Sequence, residues 1–165
     1  MIITIKKYSS LLLLMAMLSA CSKQHGFGPN YSAYNGGDVP VTIQNIVGNR
    51  PDPAVNSSVS DSSITIVMTI PSTSGRTIKE ITKVATSSSY AAIQSGGTTG
   101  FYPVAAIPGS GTTVTFKTTL GVYRSVYPKE ALKLNTELVN RFYFRITLDD
   151  GSIVYPTPVR VIVVS

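Results

Sequence analysis

The only thiol in the chain belongs to Cys21, which is therefore its only sulfur nucleophile. A cysteine reacts through its thiolate, so this residue is the first candidate for covalent modification. The two residues before it, Ser19 and Ala20, are small enough to suit the tight groove of a peptidase. The chemistry of this stretch depends on the segment that precedes it.

The residues in front of Cys21 have the pattern of a secretory signal. Lys6 and Lys7 carry positive charge, and eight apolar residues follow from Leu11 to Leu18. That run is too short to cross a bilayer core, which takes about 20 residues. A charged start, a short apolar run and small residues before the cleavage point are typical of a signal peptide. We therefore expect residues 1–20 to be a signal peptide.

Leu18-Ser19-Ala20-Cys21 resembles the lipobox of bacterial lipoproteins at all four positions. The resemblance implies that Cys21 receives a thioether-linked diacylglycerol, that signal peptidase II cuts before it, and that its new amino group is acylated. Two or three acyl chains would anchor the protein stably, because one chain alone gives only marginal membrane binding. The alternative is an ordinary secreted protein with an unrelated cysteine at this junction.

The residues after Cys21 bear on which membrane would hold the protein. In lipoproteins an aspartate at the next position commonly acts as an inner-membrane retention signal, and Ser22 stands there instead. The run Ser22-Lys23-Gln24-His25 also lacks the acidic residues that resemble a surface-export signal. The resemblance therefore implies the outer membrane, with the periplasmic face favoured over the cell surface.

The other polar residues do not form a recognisable catalytic set. Asp149-Asp150 precedes Gly151, and turn chemistry explains this acidic pair. Ser–His catalysis would have only His25 to use, since it is the single histidine. The glycine-rich run at 95–100 lacks the lysine of a phosphate-binding loop, and no Cys/His/Asp cluster has metal-ligand spacing. We predict a non-catalytic protein without a cofactor or metal.

Aromatic side chains in or near the irregular connections are the candidates for ligand binding. They are Tyr90, Phe101, Tyr102, Tyr123 and Tyr127. Aromatic faces can stack on sugar rings, and loops on a rigid scaffold commonly carry binding sites. The alternative is that these rings complete the core or cover its ends, with each tyrosine hydroxyl in water.

Composition divides the chain into a tether and one domain. Residues 22–37 are rich in glycine, serine and asparagine without an apolar period, so we expect 21–37 to be the lipidated cysteine and a flexible tether. Residues 38–165 form the expected domain. Removal of Lys6 and Lys7 leaves twelve basic residues against eight acidic ones. These charges are scattered, so nucleic acid is not an expected partner.

Alternating apolar residues predict short strands throughout that domain. The clearest patterns are Ile64–Ile70 and Phe142–Leu148, the second followed by a hairpin turn at Asp149–Gly151. Thr77–Thr86 fits either a helix or a strand, and its β-branched content favours a strand with a bulge near Lys79-Glu80. Phe142, Phe144 and Ile146 should share a buried face, with Tyr143 on the opposite one.

The other secondary-structure elements have a weaker alternation of apolar and polar residues. Further strands are expected at 39–43, 104–107, 112–120 and 159–164, and one helical turn at 127–132. Pro156 and Pro158 lie beside the last strand and suggest that it forms an edge. About seven strands without a long helix predict an all-β, antiparallel sandwich.

The stretch from Arg141 to Val164 resembles the last hairpin of immunoglobulin-like and fibronectin type III-like domains. The tryptophan found in many such domains is absent from the chain. Lipobox, tether and one sandwich together are similar to the small accessory lipoproteins of glycan-uptake systems. The resemblance implies a binding or accessory module with a glycan or protein partner, attached to the membrane through lipid. The alternative is a structural lipoprotein that assembles with other envelope proteins through a sheet edge.

Overall fold

The computed structural model describes residues 39–48, 52–87, 91–94, 102 and 105–165. All of them belong to one compact unit, Ser32–Ser165. The expected signal peptide, Cys21 and the tether lie outside the described residues. Among the described residues, no helix has the length and hydrophobicity that a membrane span requires.

The described part of the chain is mostly β-strand, as predicted. Its ten strands are β1 (Thr42–Ile43), β2 (Ala54–Ser58), β3 (Ser63–Thr69), β4 (Ile78–Ser87), β5 (Ile107–Pro108), β6 (Thr113–Thr119), β7 (Thr136–Glu137), β8 (Arg141–Leu148), β9 (Ile153–Val154) and β10 (Arg160–Val164). The helices are a 3₁₀ turn (Ser72–Ser74), α1 (Ala91–Gln94) and α2 (Leu120–Val126).

The strands form three sheets. The first has the order β1-β3-β6, the second β2-β10-β7 and the third β5-β4-β8-β9. The first and third are antiparallel throughout, but β2 runs parallel to β10. The prediction of a purely antiparallel protein is therefore wrong at this pair.

The first and third sheets bury a common apolar core. Ile64, Ile66 and Met68 of β3 are fully buried, as their alternation predicts. Across from them, the ring of Phe116 on β6 lies 5.5 Å from that of Phe142 and 5.3 Å from that of Phe144, both on β8. Two sheets joined through their inner faces are compatible with an all-β sandwich.

The structure confirms the strand interpretation of 77–86. β4 pairs with β8, and its register shifts between Ile78 and Glu80 and again between Ile81 and Lys83. Each shift places one extra residue on β4, which is how a bulge brings residues spaced by three to the same face. Ile78, Ile81 and Val84 are consequently all buried.

The predicted hairpin after β8 is also confirmed. Gly151 has φ +83, a conformation that glycine adopts without steric cost, and its N–H donates to Leu148 C=O at 3.1 Å. Asp150 Oδ1 accepts from Ser152 Oγ at 2.7 Å and from Ser152 N–H at 3.0 Å. These bonds favour the carboxylate and lower the pKa of Asp150.

The helical turn expected at 127–132 is displaced. The helix is α2, which begins directly after Thr119, because the hydroxyl of Thr119 accepts from Val122 N–H at 3.1 Å and caps its first turn. After α2, a single bond from Glu130 N–H to Tyr127 C=O closes a turn.

The remaining strands differ from the expectations in four ways. β2 and β7 are strands that the sequence pattern did not predict. β10 is the central strand of its sheet rather than an edge, because Pro156 and Pro158 precede it and leave its own N–H groups available. Of the strand expected at 104–107, residue 104 lies outside the described residues and only Ile107 belongs to a strand, β5. Of the strand expected at 39–43, only Thr42 and Ile43 of β1 form a strand.

Candidate functional site

The five candidate aromatic residues do not form one exposed cluster. Tyr90 and Phe101 lie outside the described residues. Tyr102 and Tyr123 are buried, and Tyr127 is half-buried. The alternative interpretation, in which these rings complete the core, therefore holds for Tyr102 and Tyr123.

Tyr102 belongs to the core between the first and third sheets. Its ring packs edge-on against Phe142 at 5.5 Å and Phe116 at 6.0 Å between centroids. Its hydroxyl lies 2.7 Å from Thr118 Oγ1, and its N–H donates to Val84 C=O at 2.8 Å. Burial raises the pKa of Tyr102. Because its ring packs in the core and its hydroxyl bonds to Thr118, Tyr102 is a structural residue.

Tyr123 connects α2 to the segment before β8. Its hydroxyl donates to Glu130 Oε2, with 2.5 Å between the oxygens, and accepts from Asn140 N–H at 3.3 Å. Burial, and next the bond to Glu130, raise the pKa of Tyr123 above its ordinary value. This tyrosine therefore holds two loops together.

Tyr127 lies one helical turn further along and stacks obliquely on Tyr123, with 5.0 Å between ring centroids. Its hydroxyl donates to Thr86 C=O at 2.7 Å. The hydroxyl oxygen is also 2.7 Å from Thr86 Oγ1, and since a phenol has one hydrogen, Thr86 donates that second bond. Tyr127 thus fastens the end of α2 to β4 and keeps part of its ring at the surface.

An open depression of about 450 Å³ lies beside Tyr127. We call it the α2 depression, and it is lined by Val126, Tyr127, Pro128, Lys129, Glu130, Val139 and Asn140. One wall is the end of α2 and the turn after it, and the other is the segment that leads into β8. Glu130 joins these walls, because its Oε2 accepts from Tyr123 of α2 and its Oε1 from Val139 N–H.

The α2 depression is apolar with few available polar groups. Both oxygens of Glu130 are already occupied, since Oε1 accepts from Val139 N–H at 2.7 Å and Oε2 from Tyr123. Val139, by contrast, leaves 73% of its surface exposed. Lys129 makes no ion pair among the described residues. The depression suits an apolar group with an anionic or hydrogen-bonding neighbour.

The described residues do not supply a metal centre. Among them, no group of three or more His, Cys, Asp or Glu side chains is placed to hold a metal ion.

Sequence reasoning found Tyr127 but not the opposite wall of the depression. Val139 and Asn140 lie in an irregular segment without an apolar period. A single valine between polar residues carries no signal that separates an exposed side chain from a buried one. This segment lies between β7 and β8, which belong to different sheets. It reaches α2 through hydrogen bonds, since Val139 N–H donates to Glu130 Oε1 and Asn140 N–H donates to the hydroxyl of Tyr123.

Comparisons with known proteins give no relative to place beside this geometry. No protein-family model matches the chain, and no curated protein matches it significantly.

Proposed function

We propose that this protein is a non-catalytic lipoprotein of the cell envelope, held by lipid on Cys21, whose β domain is a binding module. The lipobox resemblance supports the anchor, and Ser22 after the cysteine supports the outer membrane. The lack of acidic residues in Ser22-Lys23-Gln24-His25 supports its periplasmic face. The α2 depression supports the binding role. Assembly with other envelope proteins through a sheet edge is the second candidate.

We also propose that the fold is of the immunoglobulin-like type. In such domains strands A, B and E share one sheet, and C, F and G the other. Taking β1, β3 and β6 as A, B and E matches the first sheet. Taking β4, β8 and β9 as C, F and G matches the third. A bridge between Phe142 and Val159 continues the pairing of β8 toward β10, so β9 and β10 correspond to one interrupted G strand.

The chemistry of the depression favours a protein partner over a glycan. Sugars are recognised through several free hydrogen-bonding side chains beside an aromatic face. Here both oxygens of Glu130 and the hydroxyl hydrogen of Tyr127 already take part in internal bonds, which leaves few polar groups of the lining without one. Exposed Val139 beside the Tyr127 ring instead suits an apolar side chain from a protein, because buried apolar anchors dominate protein interfaces. The exposure of Val139 is the observation that carries this proposal.

A photo-reactive side chain tests the proposal in living cells. Placed at position 139 of the full-length lipoprotein, it should crosslink to an envelope protein. The matched control is position 134, where Leu134 is 53% exposed and lies outside the depression. Val139→Glu should weaken association with the captured partner, and Leu134→Glu should not.

Two outcomes would contradict the proposal. Equal crosslinking from positions 139 and 134 would mean that the depression has no special role. Binding of a soluble oligosaccharide that Val139→Glu abolishes would assign the depression to a glycan instead.

A further inference from the structure

A second surface of the domain has unused hydrogen-bonding groups. β6 is one of the two outer strands of the first sheet and has seven residues. The other outer strands in the described part of the chain are β1, β2, β5, β7 and β9, with five residues in β2 and two in each of the others. An outer strand presents a row of backbone N–H and C=O groups to any chain that can pair with it.

Two hydrogen bonds show which way the backbone groups of β6 point. At one end Ile70 N–H donates to Thr112 C=O at 3.0 Å, and at the other Leu120 N–H donates to Ser62 C=O at 2.8 Å. Bonded and non-bonded pairs alternate along an antiparallel ladder. The even-numbered residues of β6 therefore bond to β3, and the odd-numbered ones point their backbone groups away from it.

Two of those odd-numbered residues remain open. Thr113 exchanges bonds of 2.8 and 3.1 Å with Ser110, and Thr119 ends the strand by capping α2. Within the part of the chain that the structure describes, Thr115 and Lys117 have no hydrogen-bond partner on the outer side. Their two N–H and two C=O groups form what we call the open edge.

The edge formed by β2 is closed at its ends in a similar way. Val47 N–H donates to Ala54 C=O at 2.7 Å, and Ser62 N–H donates to Ser58 C=O at 2.8 Å. These bonds occupy carbonyls that point away from β10. The outward groups of Asn56, in the middle of β2, have no backbone partner among the described residues, so β2 is open over one central residue and β6 over two.

We propose that the open edge binds an extended segment of another protein by strand addition, with an acidic residue of that segment beside Lys117. Strand addition uses main-chain hydrogen bonds for affinity and side-chain contacts for specificity. Lys117 is exposed and forms no ion pair among the described residues, so it favours an opposite charge across the new pair. This proposal rests on the assembly role given above as the second candidate, and it is independent of the α2 depression.

Lys117 also argues against a second copy of this chain as the occupant. If the β6 strands of two copies paired antiparallel through their open edges, Lys117 of one copy would lie opposite or diagonal to Lys117 of the other. Like charges in that position destabilise a sheet, and edge lysines are a common device against self-pairing.

Two short peptides test the open edge on the full-length, detergent-solubilised protein. The probes are the capped heptapeptide Thr-Val-Thr-Glu-Thr-Val-Thr and the same peptide with lysine in place of glutamate. Amide NMR signals of Thr115 and Lys117 should shift saturably with the glutamate peptide, and that peptide should bind about two- to fivefold more tightly than the lysine peptide. Lys117→Glu should reverse the preference.

Thr115→Pro removes one outward N–H without removing a bond to β3, and proline is tolerated on sheet edges. It should abolish binding of both peptides, while Tyr127→Ala should leave binding unchanged. If the Thr115→Pro protein does not fold, the peptide preference of Lys117→Glu still tests the proposal. The proposal is overturned by absence of saturable shifts at Thr115 and Lys117, by an unchanged preference in Lys117→Glu, or by a dimer that forms through β6 without any peptide.

Discussion

Tyr123 and Glu130 are joined by a hydrogen bond with 2.5 Å between their oxygens, and Glu130 lines the α2 depression. The second carboxylate oxygen of Glu130 accepts from Val139 N–H at 2.7 Å. The end of α2 and the segment before β8 are therefore positioned by one carboxylate. The same contacts engage both oxygens of Glu130, so this carboxylate has fewer free acceptor positions for a sugar.

Alkaline pH should weaken the fold through Tyr123. Its pKa is raised above the ordinary value near 10 by burial and then by Glu130, so the unfolded chain loses this proton at lower pH than the folded chain does. The contribution of this group to stability is then constant below about pH 10 and falls above it, by about 1 kcal/mol at pH 11. Urea unfolding at pH 9 and pH 11 should show a smaller loss in Tyr123→Phe than in the wild type. Equal losses in the two proteins would contradict the pKa shift.

The two faces of β8 should both be sensitive to truncation. Phe144 is buried in the main core, and Phe144→Ala should cost about 3–5 kcal/mol. Tyr143 was expected on an exposed face, but it is buried with Ala85 and Ile93 of α1 in a second cluster, against which Tyr155 packs. Because of that cover, Tyr143→Ala should also be costly, at about 2–5 kcal/mol.

Thr147→Ala is the matched control for these variants, since Thr147 lies on the same strand and the same outer face as Tyr143. It should change the free energy of unfolding by less than about 1 kcal/mol. A small effect of Tyr143→Ala, comparable to that of Thr147→Ala, would mean that α1 does not cover this face.

Loss of the Glu137 carboxylate should lower the free energy of unfolding, because it leaves the buried Arg160 without its charged partner. Arg160 is only 5% exposed, and its guanidinium donates to Glu137 Oε2 at 3.1 Å and to Asp52 C=O at 2.8 Å. Glu137→Gln removes the charge that compensates a buried cation, so it should cost about 1.5–3 kcal/mol by urea unfolding. Arg76→Gln breaks a surface pair with Asp150 and should cost no more than about 1 kcal/mol. The reverse order of these losses would contradict the buried role of Arg160.

Alternation along the chain was sufficient to predict β3, β8 and the hairpin, because a half-buried strand must repeat its apolar residues every two positions. It could not predict β2, whose sequence AVNSS has only two apolar residues and is held as a strand by pairing with β10. Nor could it predict the burial of Tyr143, which depends on α1 covering the outer face of the third sheet.

The candidate site was predictable only in part, for a related reason. The tyrosines were recognisable as either binding or core residues, and the choice depends on distant partners such as Thr86 for Tyr127. Hydrogen bonds between residues 41 positions apart leave no local pattern in the chain. Val139 became a candidate only through its exposure beside α2.

The envelope location in both binding proposals depends on the lipid anchor, and replacement of Cys21 tests that anchor most directly. Cells that express the wild type or Cys21→Ala are labelled with radioactive palmitate and separated into membrane and soluble fractions. We predict that the wild type incorporates the label and is found in the membrane fraction. The Cys21→Ala protein should be unlabelled, and it should be either released from the membrane or retained as an uncleaved precursor. Equal incorporation of palmitate into both proteins would contradict lipid attachment at Cys21 and, with it, the proposed function.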